Sequence, residues 1–313
     1  MNAPGGPAIR VEGLARSFGN VRAVDGLSFT VGRGELFGLA GPDGSGKTTT
    51  LRMLAGVLRP TSGDAVLNGV SVVRDPERVK HDLAYMSQRF GLYTDLTVLE
   101  NLEFYADLYQ VPRAERTARL ERLFRFSNLA PFRDRLAGKL SGGMKQKLGL
   151  SCALIHQPEI LLLDEPTFGV DPISRRDLWL IIHEMVAQGV TAVVSTAYMD
   201  EAERFDRLAL LHRGRVLALD TPDALRASVG GAVLAVLVDP VRAAREVLRR
   251  HSSVRGVTVF GDRLHVTVWD AGADAPRVET ALREAGFAVR EVKAVEPSLE
   301  DVFITRIAMA EAA

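Results

Sequence analysis

Gly41-Pro42-Asp43-Gly44-Ser45-Gly46-Lys47-Thr48 fits the pattern G-x-x-x-x-G-K-[ST], the loop that cradles nucleotide phosphates. The apolar run Leu36-Phe37-Gly38-Leu39-Ala40 leads into it. Thr49-Thr50-Leu51-Arg52-Met53-Leu54 follows with helical apolar spacing. The stretch therefore reads as strand, loop and helix start, and this reading decides an α/β fold. Glycines let the backbone wrap closely around phosphates. The amides and the helix N-terminus then face the negative charge. In such a loop Lys47 reaches the β/γ-phosphates and Thr48 ligates Mg²⁺, so ATP and Mg²⁺ are the expected cofactors.

Working outward, a second apolar run, Ile160-Leu161-Leu162-Leu163, ends at Asp164-Glu165. A strand ending in Asp brings a carboxylate beside the phosphate loop, where it holds Mg²⁺ directly or through water. Glu165, one residue further, is placed to polarise the attacking water as general base. A third string, Leu140-Ser141-Gly142-Gly143-Met144-Lys145-Gln146-Lys147, reads as a helix start. Ser141 supplies the cap, and paired glycines leave the amides open to a phosphate.

The chain has 313 residues, enough for about two domains. Its 39 Lys and Arg balance 39 Asp and Glu, which argues against a protein held on nucleic acid by bulk charge. The single cysteine, Cys152, sits in an apolar stretch and reads as a small buried hydrophobe. It excludes a disulfide framework and suits a reducing cytoplasm. No apolar run approaches the roughly 18–20 residues of a membrane span. Met1–Pro7 lacks the basic start and apolar core of a signal peptide. A membrane role is then expected through a partner.

Strand-like runs alternate with helical ones from about Ile9 to Asp220, among them Gly26–Val31, Leu36–Ala40, Ile160–Leu163, Thr191–Val194 and Arg207–Leu211. Several are continuously apolar, as in parallel strands buried on both faces. Thr221-Pro222-Asp223 reads as an N-cap, a proline at N1 and a first-turn acid. Ser228-Val229-Gly230-Gly231 reads as a linker. Beyond it come a strand at Val233–Val238, a helix at Pro240–Arg250 and a hairpin, Gly256–Phe260 with Leu264–Trp269. A helix at Ala275–Ala285 and a strand at Phe287–Val292 complete the order β-α-β-β-α-β of a ferredoxin-like unit. A final helix from Ser298 aligns Leu299, Val302, Phe303 and Ile307. The expected domains are 1–228 for nucleotide binding and 229–313 for regulation, docking or packing.

With the three strings in order, the chain resembles the ATP-binding subunit of an ABC transporter. The resemblance covers about residues 8–228 and implies a P-loop NTPase domain with a helical signature subdomain. It also implies that Ser141, Gly142 and Gly143 of one subunit close over ATP held by the phosphate loop of another. Gln88, in Tyr85-Met86-Ser87-Gln88, matches the family's Q-loop glutamine, which touches Mg²⁺ and links to the membrane domain. Asp171, in Gly169-Val170-Asp171-Pro172, matches the D-loop that crosses the dimer interface. Phe18, in Arg16-Ser17-Phe18-Gly19, sits where the family places an aromatic under adenine, a stacking face. Pro166–Pro172, Tyr198–Glu203 and the tail Glu296–Phe303 resemble the branch that serves exporters of drugs, antibiotics and polysaccharides.

The resemblance implies an ATPase that powers an integral membrane permease, peripheral on the cytoplasmic side of the inner membrane, with the segment Gln88–Leu108 as its docking surface. It also implies a second ATP-binding subunit and no nucleic acid. One position departs. The family's switch histidine would follow the strand at Thr191–Ser195, giving Ser-Thr-His-Tyr-Met, but here the run is Ser195-Thr196-Ala197-Tyr198-Met199. Ala197 offers no hydrogen bond to a γ-phosphate. That favours a heterodimer with a slow site on this chain over a homodimer. It also leaves open a mainly ATP-sensing subunit, and less readily a soluble ATPase acting on nucleic acid or ribosomes.

Overall fold

The computed structural model describes residues 6–88 and 91–312. The chain divides into two compact units: residues 1–201 with 205–216, and residues 202–204 with 217–313.

The heart of the first unit is a sheet whose strands run in the order Arg207–His212, Leu36–Ala40, Thr191–Thr196, Ile160–Asp164, Leu83–Met86. Leu36–Ala40 lies parallel to both of its neighbours, as does Ile160–Asp164. Leu36–Ala40, Ile160–Asp164 and Thr191–Thr196 are buried at every position, which is what a parallel strand covered on both faces requires. The register aligns Ala40 with Thr196 and Asp164 with Ser195. Three strand ends therefore finish at one level. The chain leaves them as Gly41, Glu165 and Ala197, in the crevice where open α/β sheets bind ligands.

The first forty residues do not alternate with helices. Ile9–Phe18, Val21–Val31, Ser62–Leu67 and Val70–Ser71 form a separate antiparallel sheet. The sequence contains the reason. In Leu27-Ser28-Phe29-Thr30-Val31 every second residue is buried, the period of a strand with one wet face. Three helices, Val98–Leu108, Arg113–Ser127 and Gly142–Leu154, make up the helical part expected around the signature. Cys152 is fully buried in the last of them, and burial pushes its thiol well up from the usual value.

In the second unit one sheet runs Val254–Phe260, Arg263–Val268, Ala232–Asp239, Ala288–Val295, with antiparallel pairs throughout. With helices Val241–Leu248 and Ala271–Glu284 this is the ferredoxin-like order. The second helix starts four residues before the expected Ala275 because Asp270 caps it, accepting from Ala273 N at 2.7 Å. Leu234, Val236, Leu248, Leu264, Val266 and Leu282 lie at the centre of an apolar core. In the final helix Leu299, Val302 and Phe303 are buried and Ile307 half-buried.

Candidate functional site

Gly46, with φ +104°, turns the chain into helix Lys47–Leu54, and a Cβ there would lie 2.6 Å from Ala23 O. A Cβ on Gly41 would overlap Leu211 O. Both glycines are therefore required by close backbone approach. The loop they shape lines a cavity of about 490 Å³ with Asp43, Gly44, Ser45, Lys47, Thr48 and Thr49. Gln88 and Glu165 line it from other strand ends, and Val21, Arg22 and Arg213 from the rim.

Lys47 is only 4% exposed, so its charge needs partners. Nζ donates to Gly41 O at 2.7 Å and Pro42 O at 3.0 Å, and lies 3.1 Å from Glu165 Oε1. Gln88 Nε2 donates to the other oxygen of Glu165 at 3.1 Å. Thr48 Oγ1 donates to Asp164 Oδ1 at 2.9 Å. Lys47, Thr48, Asp164, Glu165 and Gln88 are thus brought together. Glu165 sits at φ +48°, a left-handed conformation uncommon for a residue with a side chain.

Two residues of this cluster were missed. Ser195 is fully buried; its hydroxyl donates to Asp164 Oδ1 at 2.9 Å and accepts from Glu165 N at 2.9 Å. Tyr85 OH lies 3.4 Å from Asp164 Oδ2. Burial first, and the charge of Asp164 second, push its phenol up to about 12, so it stays a neutral donor. Only the register of parallel strands places either residue, and nothing in their local sequence marks them.

The donor set fits a nucleotide with its metal. Among the described residues the buried hydroxyl of Ser45 has no hydrogen-bond partner, which suits a phosphate oxygen. Thr48 and Asp164 supply hard oxygens of the kind that Mg²⁺ takes, with Gln88 beside them.

The remaining predicted residues lie outside this cavity lining. Phe18 is 48% exposed, under the Arg16 guanidinium at 4.7 Å. It pairs in register with Val21 at the cavity rim. Ser141 caps helix Gly142–Leu154, accepting from Met144 N at 3.3 Å. Asp171 caps helix Pro172–Ala187 through Ile173 N and Ser174 N, and these bonds, Ser174's foremost, hold its carboxyl below the usual range. A Cβ on Gly143 would overlap the Ser174 side chain, so this glycine is needed for packing between the two helices. A Cβ on Gly142 would meet nothing closer than Gly169 O at 3.8 Å, so that face stays open. Gly143, Asp171 and Ser174 thus form one patch of their own. Ala197 is half-buried and its methyl carries no donor.

In the expected docking segment, Asn101 is fully buried and ties the turn before helix Val98–Leu108. Tyr93 N donates to it at 2.9 Å, and its amide donates to Tyr93 O and Thr97 O. Tyr93 and Leu108 stay exposed. Phe90 lies outside the described residues. Among the described residues no helix is long and apolar enough to cross a membrane.

A family model described as ABC transporter matches residues 24–168, and one described as ATP-binding protein DrrA1-3-like, C-terminal domain, matches residues 221–307. The chain is 46% identical over 244 residues to the probable multidrug ABC transporter ATP-binding protein YbhF of Escherichia coli. That match covers 77% of this chain and 42% of the relative, so the chain spans less than half of that protein's length. It is 34% identical over 304 residues to the daunorubicin resistance ATP-binding protein DrrA2 of Streptomyces coeruleorubidus, covering 96% of this chain and 94% of the relative. A solved ATP-binding subunit of an ABC transporter superposes with a TM-score of 0.65 at 32% identity, covering 71% of this chain and 92% of the other.

Proposed function

Because the chain belongs to the ATP-binding subunits of ABC transporters, we propose that it binds Mg-ATP at Gly41–Thr48 and hydrolyses it to power a membrane exporter permease. The observation that carries this reading is the convergence of Lys47, Thr48, Glu165 and Gln88 on one cavity, with Asp164 bonded to Thr48 behind it. The family models matched to both halves of the chain, and the multidrug and daunorubicin names of its relatives, support the exporter assignment.

Phosphate oxygens compete for Lys47, which turns from the Gly41 and Pro42 carbonyls and from Glu165. Ser45 Oγ gains the partner it lacks. Glu165, released from the ion pair, accepts a proton from water as that water attacks the γ-phosphorus in line, and ADP leaves as its bond to phosphorus breaks. Thr48, Asp164 and Gln88 would hold Mg²⁺, whose charge would offset that of the phosphates. Phe18 and Val21 offer adenine an apolar face at the rim. Ser141 and the open amide at Gly142 complete the site of a second subunit, alongside Asp171. Residues 1–228 carry this chemistry and 229–313 a docking or regulatory role. The protein is held peripherally at the cytoplasmic face of the membrane by the permease, through the segment that carries Leu92 and Tyr93. Substituting Leu92 or Tyr93 weakens permease co-purification while ATP binding persists; equal loss of both makes the segment core instead.

Ala197 favours a specific refinement. The reaction needs a donor on the γ-phosphate as charge shifts, and this chain's switch position supplies none. Turnover at its own loop is therefore slow, and a partner subunit with an intact switch forms the fast site against this chain's signature. Glu165→Gln removes the base but keeps the shape, so ATP persists and the ATP-bound dimer accumulates. Light scattering with and without ATP tests this in the purified chain. A monomer in every nucleotide state, alone and mixed with a candidate partner subunit, counts against it.

A further inference from the structure

Glu201 falls within the Tyr198–Glu203 string but was given no role there, yet it sits where two of the motif-bearing segments meet. Its side chain is about 2% exposed. Thr167 Oγ1 donates to its Oε2 at 2.9 Å, and Thr196 Oγ1 to the same oxygen at 2.8 Å. Trp179 Nε1 donates to Oε1 at 3.3 Å, and Arg175 Nε lies 3.5 Å from that oxygen. A buried carboxylate is costly unless it is fully paired. This one accepts from two hydroxyls, one in the turn that follows Glu165 and one at the end of the strand Thr191–Thr196.

Thr167 belongs to the turn that begins at Glu165, closed by Phe168 N donating to Glu165 O at 3.1 Å. The near end of that turn is tied to the strand Thr191–Thr196 through Ser195. Its far end is tied to the same strand through Thr167, Glu201 and Thr196. Thr196 has further duties: its hydroxyl accepts from Tyr198 N at 3.0 Å, closing the turn over Ala197, and its carbonyl accepts from Gly41 N at 3.2 Å. The general base, the switch turn and the first residue of the phosphate loop therefore meet at one buried carboxylate.

We propose that Glu201 is a positioning residue for the ATP reaction, fixing Glu165 against the switch turn through Thr167 and Thr196. The proposal rests on the ATPase reading above. A switch histidine would anchor its turn on the γ-phosphate; Ala197 has no such anchor, so the turn is held from behind. Misplacement of a reacting group by about 1 Å costs up to about 100-fold in rate, and loss of one tie at the far end moves Glu165 by less.

The test is single-turnover hydrolysis of radiolabelled ATP by the full chain, with nucleotide affinity measured in parallel. Thr167→Val keeps shape and removes one donor, and it lowers the rate constant about 10-fold with ATP affinity unchanged. Thr167→Ser restores the hydroxyl and the rate. Thr167→Val with Thr196→Val costs less than the product of the two, since both break one bridge. Thr167→Val running at the wild-type rate overturns the proposal, as does a loss that tracks folded fraction or affinity alone, or that Thr167→Ser does not recover. Glu165→Gln distinguishes the two levels. If it hydrolyses ATP as fast as wild type, the base assignment falls and the positioning role with it. If it stops while Thr167→Val does not slow, only the positioning role falls.

Discussion

The interior of the first unit and that of the second are built differently. Around the phosphate cavity the buried residues include Lys47, Asp164, Glu165, Ser195 and Glu201, each tied by hydrogen bonds or ion pairs. The sheet core of the second unit is Leu, Val and Ala throughout. Its buried Asp274 and Asp301 serve helix starts, where Asp274 accepts from Asp270 N and Asp301 from Ser298 N. Buried charge is costly, and an apolar core of equal volume is often at least as stable. The first unit therefore carries polar groups that its stability does not require, which is what chemistry on a polyanion demands. The second has the interior of a scaffold.

This contrast breaks most sharply under core truncation. Leu234→Ala removes a fully buried side chain from the second unit and is expected to cost about 2–5 kcal/mol. ATP affinity stays at its wild-type value. Denaturant unfolding followed alongside binding of a fluorescent ATP analogue checks both, and an equal loss of affinity would show that the two interiors are not independent.

Ala197→His comes next. Restoring one donor to the γ-phosphate is worth about 10²–10³ in rate at sites of this kind. Turnover by the purified chain rises accordingly if the slow-site reading holds. Wild-type turnover on the order of 1–10 s⁻¹, typical of working enzymes, and unchanged by the histidine, refutes it.

Lys47→Ala sharpens the comparison from the other side. Losing a charge-assisted contact to phosphate costs about 1.5–3 kcal/mol, roughly a 10- to 150-fold fall in ATP affinity. The second unit is untouched. Equal affinity of mutant and wild type in equilibrium titration removes the phosphate-loop assignment.

The smallest effect concerns acid. Burial pushes the Asp301 carboxyl up, but hydrogen bonds from His265, 3.0 Å away, and from Ser298 outweigh it and hold the group below its usual value. A depressed acid stabilises the fold above its unfolded pKa of about 3.9, and that contribution is lost as pH falls through the lower folded value. Stability of the second unit therefore declines below about pH 4, and Asp301→Asn flattens the decline. Circular dichroism against pH, compared between the two proteins, reads it.

Much of this was legible in the sequence where local pattern and chemistry coincide. The phosphate loop, the Asp164-Glu165 pair and the continuously apolar strands at Leu36 and Ile160 announce themselves because burial on both faces leaves no polar positions. The β-α-β-β-α-β order of the second unit was legible because strand and helix periods alternate cleanly there. The antiparallel arm at Ile9–Val31 was not, since short strands with one wet face need their pairing to be told apart from parallel ones. Ser195, Tyr85 and Glu201 were not, because their roles depend on which strand ends meet. Gly143 was read as an opening for phosphate, and Ser174 packed against it gives the glycine a reason that only the fold reveals.

The most direct measurement is the nucleotide retained by Glu165→Gln. Wild type and variant are each loaded with radiolabelled Mg-ATP, separated from free nucleotide and quenched in acid. With Glu165 as the base at this chain's phosphate loop, wild type yields ADP over time while the variant holds intact ATP at equal affinity. ADP appearing at the same rate in both would contradict the assignment of this cavity as a site of ATP hydrolysis through Glu165.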